Sequence, residues 1–270
     1  MPRCVIDANY ADSPELGHWL EQRGDNIAVL TDYFFMEAYR RGDATRVAKS
    51  FEQLAVRPRQ VLLLHNTGTL SAMPPRARGA THRMTNHAGT RSFAQFLRHL
   101  REVETDARIR KAVEHHVVAA NVQFDQMKRE VASMGAALEA LAAAFHRDDM
   151  QAMRRGDDYS RRAIDVMLRQ IAELAAIAIK QRGAPDLPIT REELAHSYVF
   201  RVSLCTYLSF MQRIETGTVG GFLNDDHARN DMVDAQYAAV AMYFDGLLTH
   251  DRRAAAMHQT ARVMMDSIFL

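Results

Sequence analysis

The stretch "NDMVDAQYAAVAMYFDGLLTHDRRA", Asn230 to Ala254, decides the fold. Asp231 and Asp234 precede an apolar run that predicts a helix over about 231–244. Three-residue spacing puts the two aspartates on one face of it. "GLLTH" then predicts a short strand that ends against Asp251. Acid therefore stands at both ends of a buried helix–strand unit.

Working outward, three more short apolar runs read as strands. "RCVIDANY" ends in Asp7, and "NIAVLTD" (26–32) leads at once into the helical "YFFMEAYRRG", which carries Glu37. "RQVLLLHN" (59–66) is the third. Apolar runs this short, alternating with helices, predict buried parallel strands and an α/β fold. Ligands of open parallel sheets bind outside the carboxyl ends of the strands. Asp7, Asp231, Asp234 and Asp251, with Glu37 about one turn into its helix, are therefore expected to converge on one sheet edge. Clustered carboxylates repel one another unless a cation neutralises them. Hard oxygen donors suit Mg²⁺ or Mn²⁺, which pair with phosphates and promote phosphodiester hydrolysis.

The middle of the chain reads as helical. Val113, Val117, Ala120, Phe124, Met127, Val131, Met134, Leu138, Leu141 and Phe145 alternate spacings of four and three, a seam that predicts one long helix. A second stripe runs from Ile164 to Ala178 and is broken by "GAPDLP" (183–188). Thr190 and Glu193 then form a capping box for a helix through about Ile214. "TGTVGG" (216–221) reads as the hinge back, with Asp225 and Asp226 in the returning loop. The expected organisation is an α/β domain made of 1–75 and 221–270, interrupted by an all-helical insertion over 76–220.

The acids and their surroundings resemble the PIN-domain nucleases. The resemblance rests on Asp7 in "VIDAN", Glu37 in "TDYFFMEAYR", Asp234 in "DMVDAQYAAVA" and Asp251 in "LLTHD", and covers about 1–70 and 225–270. It implies a PIN-like three-layer fold and a Mg²⁺- or Mn²⁺-dependent ribonuclease leaving a 5′-phosphate and a 3′-hydroxyl. Asp7, Glu37, Asp234 and Asp251 would hold one or two ions, with Asp231 either a further ligand or a helix cap. Thr249 would hydrogen-bond a carboxylate or a phosphate. Members of the family often act as toxins, RNA-processing enzymes or defence effectors, so an inhibitor or antitoxin protein is a possible partner. An ordinary small PIN domain has no counterpart to the middle segment.

Composition bears on partners only locally. Lys plus Arg is 34 and Asp plus Glu 33 among 270 residues. Between Gln53 and Arg101, however, there is no acid and there are eight arginines: Arg57, Arg59, Arg76, Arg78, Arg83, Arg91, Arg98 and Arg101. Arg76, Arg78 and Arg83 lie in a loop-like stretch after the third strand, and are expected to contact the phosphate backbone at the acidic edge. Cys4 and Cys205 sit in apolar runs without zinc or disulfide spacing, which fits a reducing cytoplasm. No apolar run reaches membrane-spanning length. A DNA or structure-specific nuclease on the same site is one alternative. A catalytically silent nucleic-acid-binding or scaffold module, with the acids acting as caps, is another. The helical seam would pack internally or form a homo-oligomer.

Overall fold

Short apolar runs between polar turns select the four strands. β1 (Arg3–Ile6), β2 (Ile27–Leu30), β3 (Val61–Leu63) and β4 (Gly246–Leu248) pair in the order β3-β2-β1-β4. Every pairing is parallel, with Cys4 opposite both Ala28 and Gly246. Val5, Ile6, Ala28, Val29 and Leu30 have no exposed surface. The computed structural model of the chain describes residues 1–40, 42–132, 135–181, 190–216 and 225–269.

The longer helices are α1 (Pro14–Gln22), α2 (Asp32–Arg40), α3 (His87–Arg101), α4 (Ala107–Ala132), α5 (Gly135–Ala143), α6 (Arg147–Arg155), α7 (Arg161–Gln181), α8 (Tyr198–Glu215), α9 (Asp225–Ala241) and α10 (Arg252–Met264). The molecule is thus a mostly helical α/β structure around a small parallel sheet. Among the described residues, no helix is long and apolar enough to cross a membrane.

The chain leaves β1 for β2 and β3 on one side, then returns to β4 on the other side of β1. In parallel sheets the point of such a reversal, here at the carboxyl ends of β1 and β4, is where ligands bind. Asp7 follows β1, and Thr249 to Asp251 follow β4.

Two apolar clusters form the interior. One joins the strands to Phe34, Phe51, Phe93, Leu97, Val113, Val117 and Phe124. The other joins Leu138, Met167, Ile171, Leu204, Tyr207 and Met211 to Met257 and Ala261 of α10. Residues 80–124, read from sequence as part of the insertion, therefore supply much of the core that covers the sheet. Helix α9 belongs to both clusters. Val233, Tyr237, Val240 and Ala241 face the first, while Ala235, Ala238 and Ala239 face the second. Small alanines let the backbones approach closely on that second side. Each fully buried valine contributes roughly 1.5–3 kcal/mol.

Several element boundaries differ from the sequence reading. Helix α9 starts at Asp225, so Asp225 and Asp226 open a helix and do not lie in a loop. Asp226 there meets Lys128 of α4 at 2.6 Å and Arg229 at 2.7 Å, which anchors the polar first turns. The seam predicted as one helix divides between α4 and α5, with Met134 outside the described residues. Val113, Val117, Ala120, Phe124, Val131 and Leu138 are buried within the chain, so the seam is not a free dimer face. The Thr190–Glu193 capping box forms, but its helix ends at His196 and α8 starts afresh after Ser197. "GAPDLP" and residues 217–221 of the hinge lie outside the described residues.

Candidate active site

Asp7 is set by its position one residue past β1. It is 3% exposed and caps the short helix Ala8–Ala11, with Oδ1 accepting from Asn9 N at 3.2 Å. The Thr249 hydroxyl, just past β4, donates to Asp7 Oδ2 at 2.6 Å. Thr249 Oγ1 also accepts from Asp251 N at 2.9 Å, and Asn9 Oδ1 accepts from His250 N at 3.1 Å. The two strand ends are thereby tied together. Burial, and then the charge of Asp251, raise the Asp7 pKa, and the Thr249 and Asn9 hydrogen bonds oppose that rise.

Asp251 caps α10, and its Oδ1 accepts from Arg253 N at 2.7 Å and Ala254 N at 3.1 Å. Its charge acts on both Asp7 and Asp234.

Asp234 is different, because it lies well inside α9 and caps nothing. Burial, then Asp7, Asp251, Glu37 and Asp231 in turn, push its pKa up to about 8. It stands partly open to solvent and, among the described residues, makes no ion pair.

Glu37 projects from α2, and its Oε2 accepts from the Tyr237 hydroxyl at 2.7 Å. Tyr237 is fully buried, one turn from Asp234 on α9. Burial and Asp7 push Glu37 up to about 7, against the Tyr237 hydrogen bond and the charges of Arg40 and Arg229. Asp7, Glu37, Asp234 and Asp251 therefore come from four separate parts of the chain into one electrostatically coupled group.

Asp231 does not join that group as a free carboxylate. Its Oδ2 accepts from Arg213 Nε at 2.6 Å, and its Oδ1 lies 3.4 Å from Arg253. Two arginines already pair with it, so a metal ion would have to compete with them for its oxygens. It is not a cap either, since α9 begins six residues earlier (231 − 225). Asp32, another acid at this edge, is half-buried and accepts from Thr67 N at 2.7 Å and Thr67 Oγ1 at 3.0 Å. It fixes the turn after β3.

The arginine loop is also placed differently from the expectation. Arg83 donates to the carbonyl oxygens of Arg76 and Arg78, so it holds its own loop together. Thr81 lies 3.5 Å from Arg3 at the start of β1, and the Arg83 charge acts on Tyr243, shortly before β4. These contacts mark the amino-terminal sheet edge, opposite the acids. Arg76 and Arg78 are exposed there. The cations whose charges act on Glu37 are Arg40 and Arg229, which the sequence reading did not select.

Among the described residues, no group of three or more His, Cys, Asp and Glu is placed to hold a metal ion as it stands. Four coupled carboxylates, with no ion pair to Asp234 among the described residues, nevertheless make a donor set of the hard kind that Mg²⁺ or Mn²⁺ takes. Neither a known family model, nor a curated protein, nor a solved structure matches the chain.

Proposed function

We propose that the chain is a Mg²⁺- or Mn²⁺-dependent nuclease of PIN-like design, acting on RNA, with Asp7, Asp234 and Asp251 as metal ligands and Glu37 beside them. The observation that carries this reading is Asp234. A carboxyl inside a helix, raised to about 8 by burial and by neighbouring acids, costs stability unless a cation is bound to it. Strained ionisation of this kind concentrates at functional sites.

A divalent ion held there supplies Lewis acidity, which favours loss of a proton from water and neutralises charge on the phosphate. The protein's own groups do the rest. Thr249 donates to Asp7 and fixes its rotamer. The Tyr237 hydroxyl fixes Glu37, whose pKa of about 7 suits a group that takes a proton from water near neutrality. The water oxygen bonds to phosphorus as the bond to the 3′ oxygen breaks. Glu37 accepts one proton of the water, the leaving 3′ oxygen takes up a proton from solvent, and the products are a 5′-phosphate and a 3′-hydroxyl.

A non-catalytic nucleic-acid-binding module is the second reading, favoured by one observation: Asp7 and Asp251 each cap a helix. It leaves Asp234 without a role. The test is cleavage of labelled RNA and DNA single strands with Mn²⁺ by the natural chain and by Asp234→Asn. Loss of cutting in the variant, with the fold retained, supports the nuclease reading. Binding without turnover by the natural chain overturns it.

A further inference from the structure

A polyanion approaching four acids needs compensating charge close by, and the arginine loop at 76–83 does not stand there. Arg40 does. It lies in the last turn of α2, three residues after Glu37 and on the same helix face. Its guanidinium lies over the ring of Phe124 of α4, 4.8 Å from the centroid. The guanidinium of Arg229 lies over the same ring at 5.2 Å.

The two arginines are not equivalent. Arg229 is 1% exposed and committed: it donates to Asp226 Oδ1 at 2.7 Å and to Asn230 Oδ1 at 2.8 Å. Asp226 is shared with Lys128, 2.6 Å away. One carboxylate thus serves two cations, and a third cation stands beside them. Arg40 is exposed and, among the described residues, pairs with no carboxylate. A seat over a buried ring holds the guanidinium in place by its charge and uses none of its N–H donors on a carboxylate. A solvated arginine without a seat would have no preferred direction. This one is held by an aromatic ring, against a like charge, next to the acids.

We propose that Arg40, seated on Phe124 beside Arg229 and one helical turn from Glu37, binds a backbone phosphate of the single strand whose scissile bond lies among the acids. The proposal rests on the coupled acids being the place where the strand is held. The planar N–H edge takes two phosphate oxygens at once, and Arg229 supplies a fixed positive background. Phosphate contact positions the strand without reading its sequence.

The experiment uses the full chain carrying Asp234→Asn, without divalent ions, and short labelled single strands of RNA and of DNA. Binding is followed through a salt titration, with Arg40→Gln, Arg40→Lys or Arg78→Gln added. The expected result is a slope of log affinity against log salt flattened by about 0.7 in Arg40→Gln. Arg40→Lys restores the slope, since it keeps the charge, and Arg78→Gln leaves it unchanged. Equal loss on RNA and DNA supports a contact to phosphate alone. An unchanged slope in Arg40→Gln overturns the proposal, and so does failure of the Asp234→Asn chain to bind either strand. A chain that binds through Arg40 but does not cut with Mn²⁺ in its natural form overturns the nuclease reading and leaves the phosphate site standing.

Discussion

Asp234 concentrates the residue-scale argument. Its pKa in the folded chain is about 8 against an ordinary 3.8, so the folded state holds a proton that the unfolded chain releases. The stabilisation this gives is complete below about pH 4 and is lost as pH rises through about 8. Glu37 adds to the same trend, with its loss centred near pH 7. Without divalent ions the protein should therefore melt at a lower temperature at about pH 8 than at about pH 5. Asp234→Asn should flatten that difference and abolish cleavage together. Melts at both pH values, with a cleavage assay, check this; a pH profile identical in the variant would mean the group is not strained. Thr249 is the quieter case. Thr249→Val removes the donor to Asp7 Oδ2 and the acceptor for Asp251 N. Partners of this kind are worth about 10–100-fold in metal affinity or activity. Cleavage should fall within that range while the melting temperature hardly moves. Asp7, Thr249, Asp234 and Asp251 were legible because each stands at a strand end or next to an apolar run. Tyr237 and Arg40 were not, since an aromatic or an arginine in an amphipathic helix looks the same whether it holds a carboxylate, a phosphate or nothing.

At the scale of elements, the strands were readable and the helix ends were not. β1 to β4 are apolar on both faces, so a short run between polar turns marks them. The first turns of α9 are polar and carry no apolar period, and what holds them is ion pairing with α4 through Asp226 and Lys128. Absence of acids in 53–101 gave the charge of that segment and not its place, which depends on how residues 84–86 pair beside β3. There Asn86 N donates to Leu63 O at 2.8 Å and His65 N to Met84 O at 2.9 Å. The same scale separates Asp231 from Asp234. Asp231 links α9 to α8 through Arg213, with side chains 11% and 12% exposed. Removing one partner of a pair this enclosed takes away a buried charge–charge contact, at a cost of up to about 3–5 kcal/mol. Asp231→Ala should thus lower the denaturation midpoint strongly. Its cutting rate per folded molecule should remain close to that of the natural chain. A variant that stays stable but stops cutting would return Asp231 to the ligand set.

For the molecule as a whole, α9 is the shared wall. It gives Val233, Tyr237 and Val240 to the cluster around the sheet and Ala235, Ala238 and Ala239 to the cluster of α5 to α8. It also carries Asp234, so the coupled acids and both cores meet on one helix. An apolar groove of about 400 Å³, lined by Met167, Leu208, Met211 and Met257 among others, opens on the second cluster and has none of the coupled acids in its lining. Because neither core is complete without α9, melting of one should carry the other with it, giving a single transition. A ligand bound to the folded state alone raises stability by RT ln(1 + [L]/Kd), about 2.7 kcal/mol at a hundredfold excess over Kd. For a chain of this size about 2 °C per kcal/mol is the expected return, so saturating Mn²⁺ should raise the melting temperature by about 5 °C. The gain should be larger at about pH 8 than at about pH 5, since the ion competes with protons for the same carboxylates. Asp234→Asn should lose most of the gain, and Arg78→Gln should keep it. Calorimetry of the three chains with and without Mn²⁺ decides the matter. Equal shifts in all three would place the ion elsewhere. Two transitions of which only one responds would mean that α9 does not couple the cores.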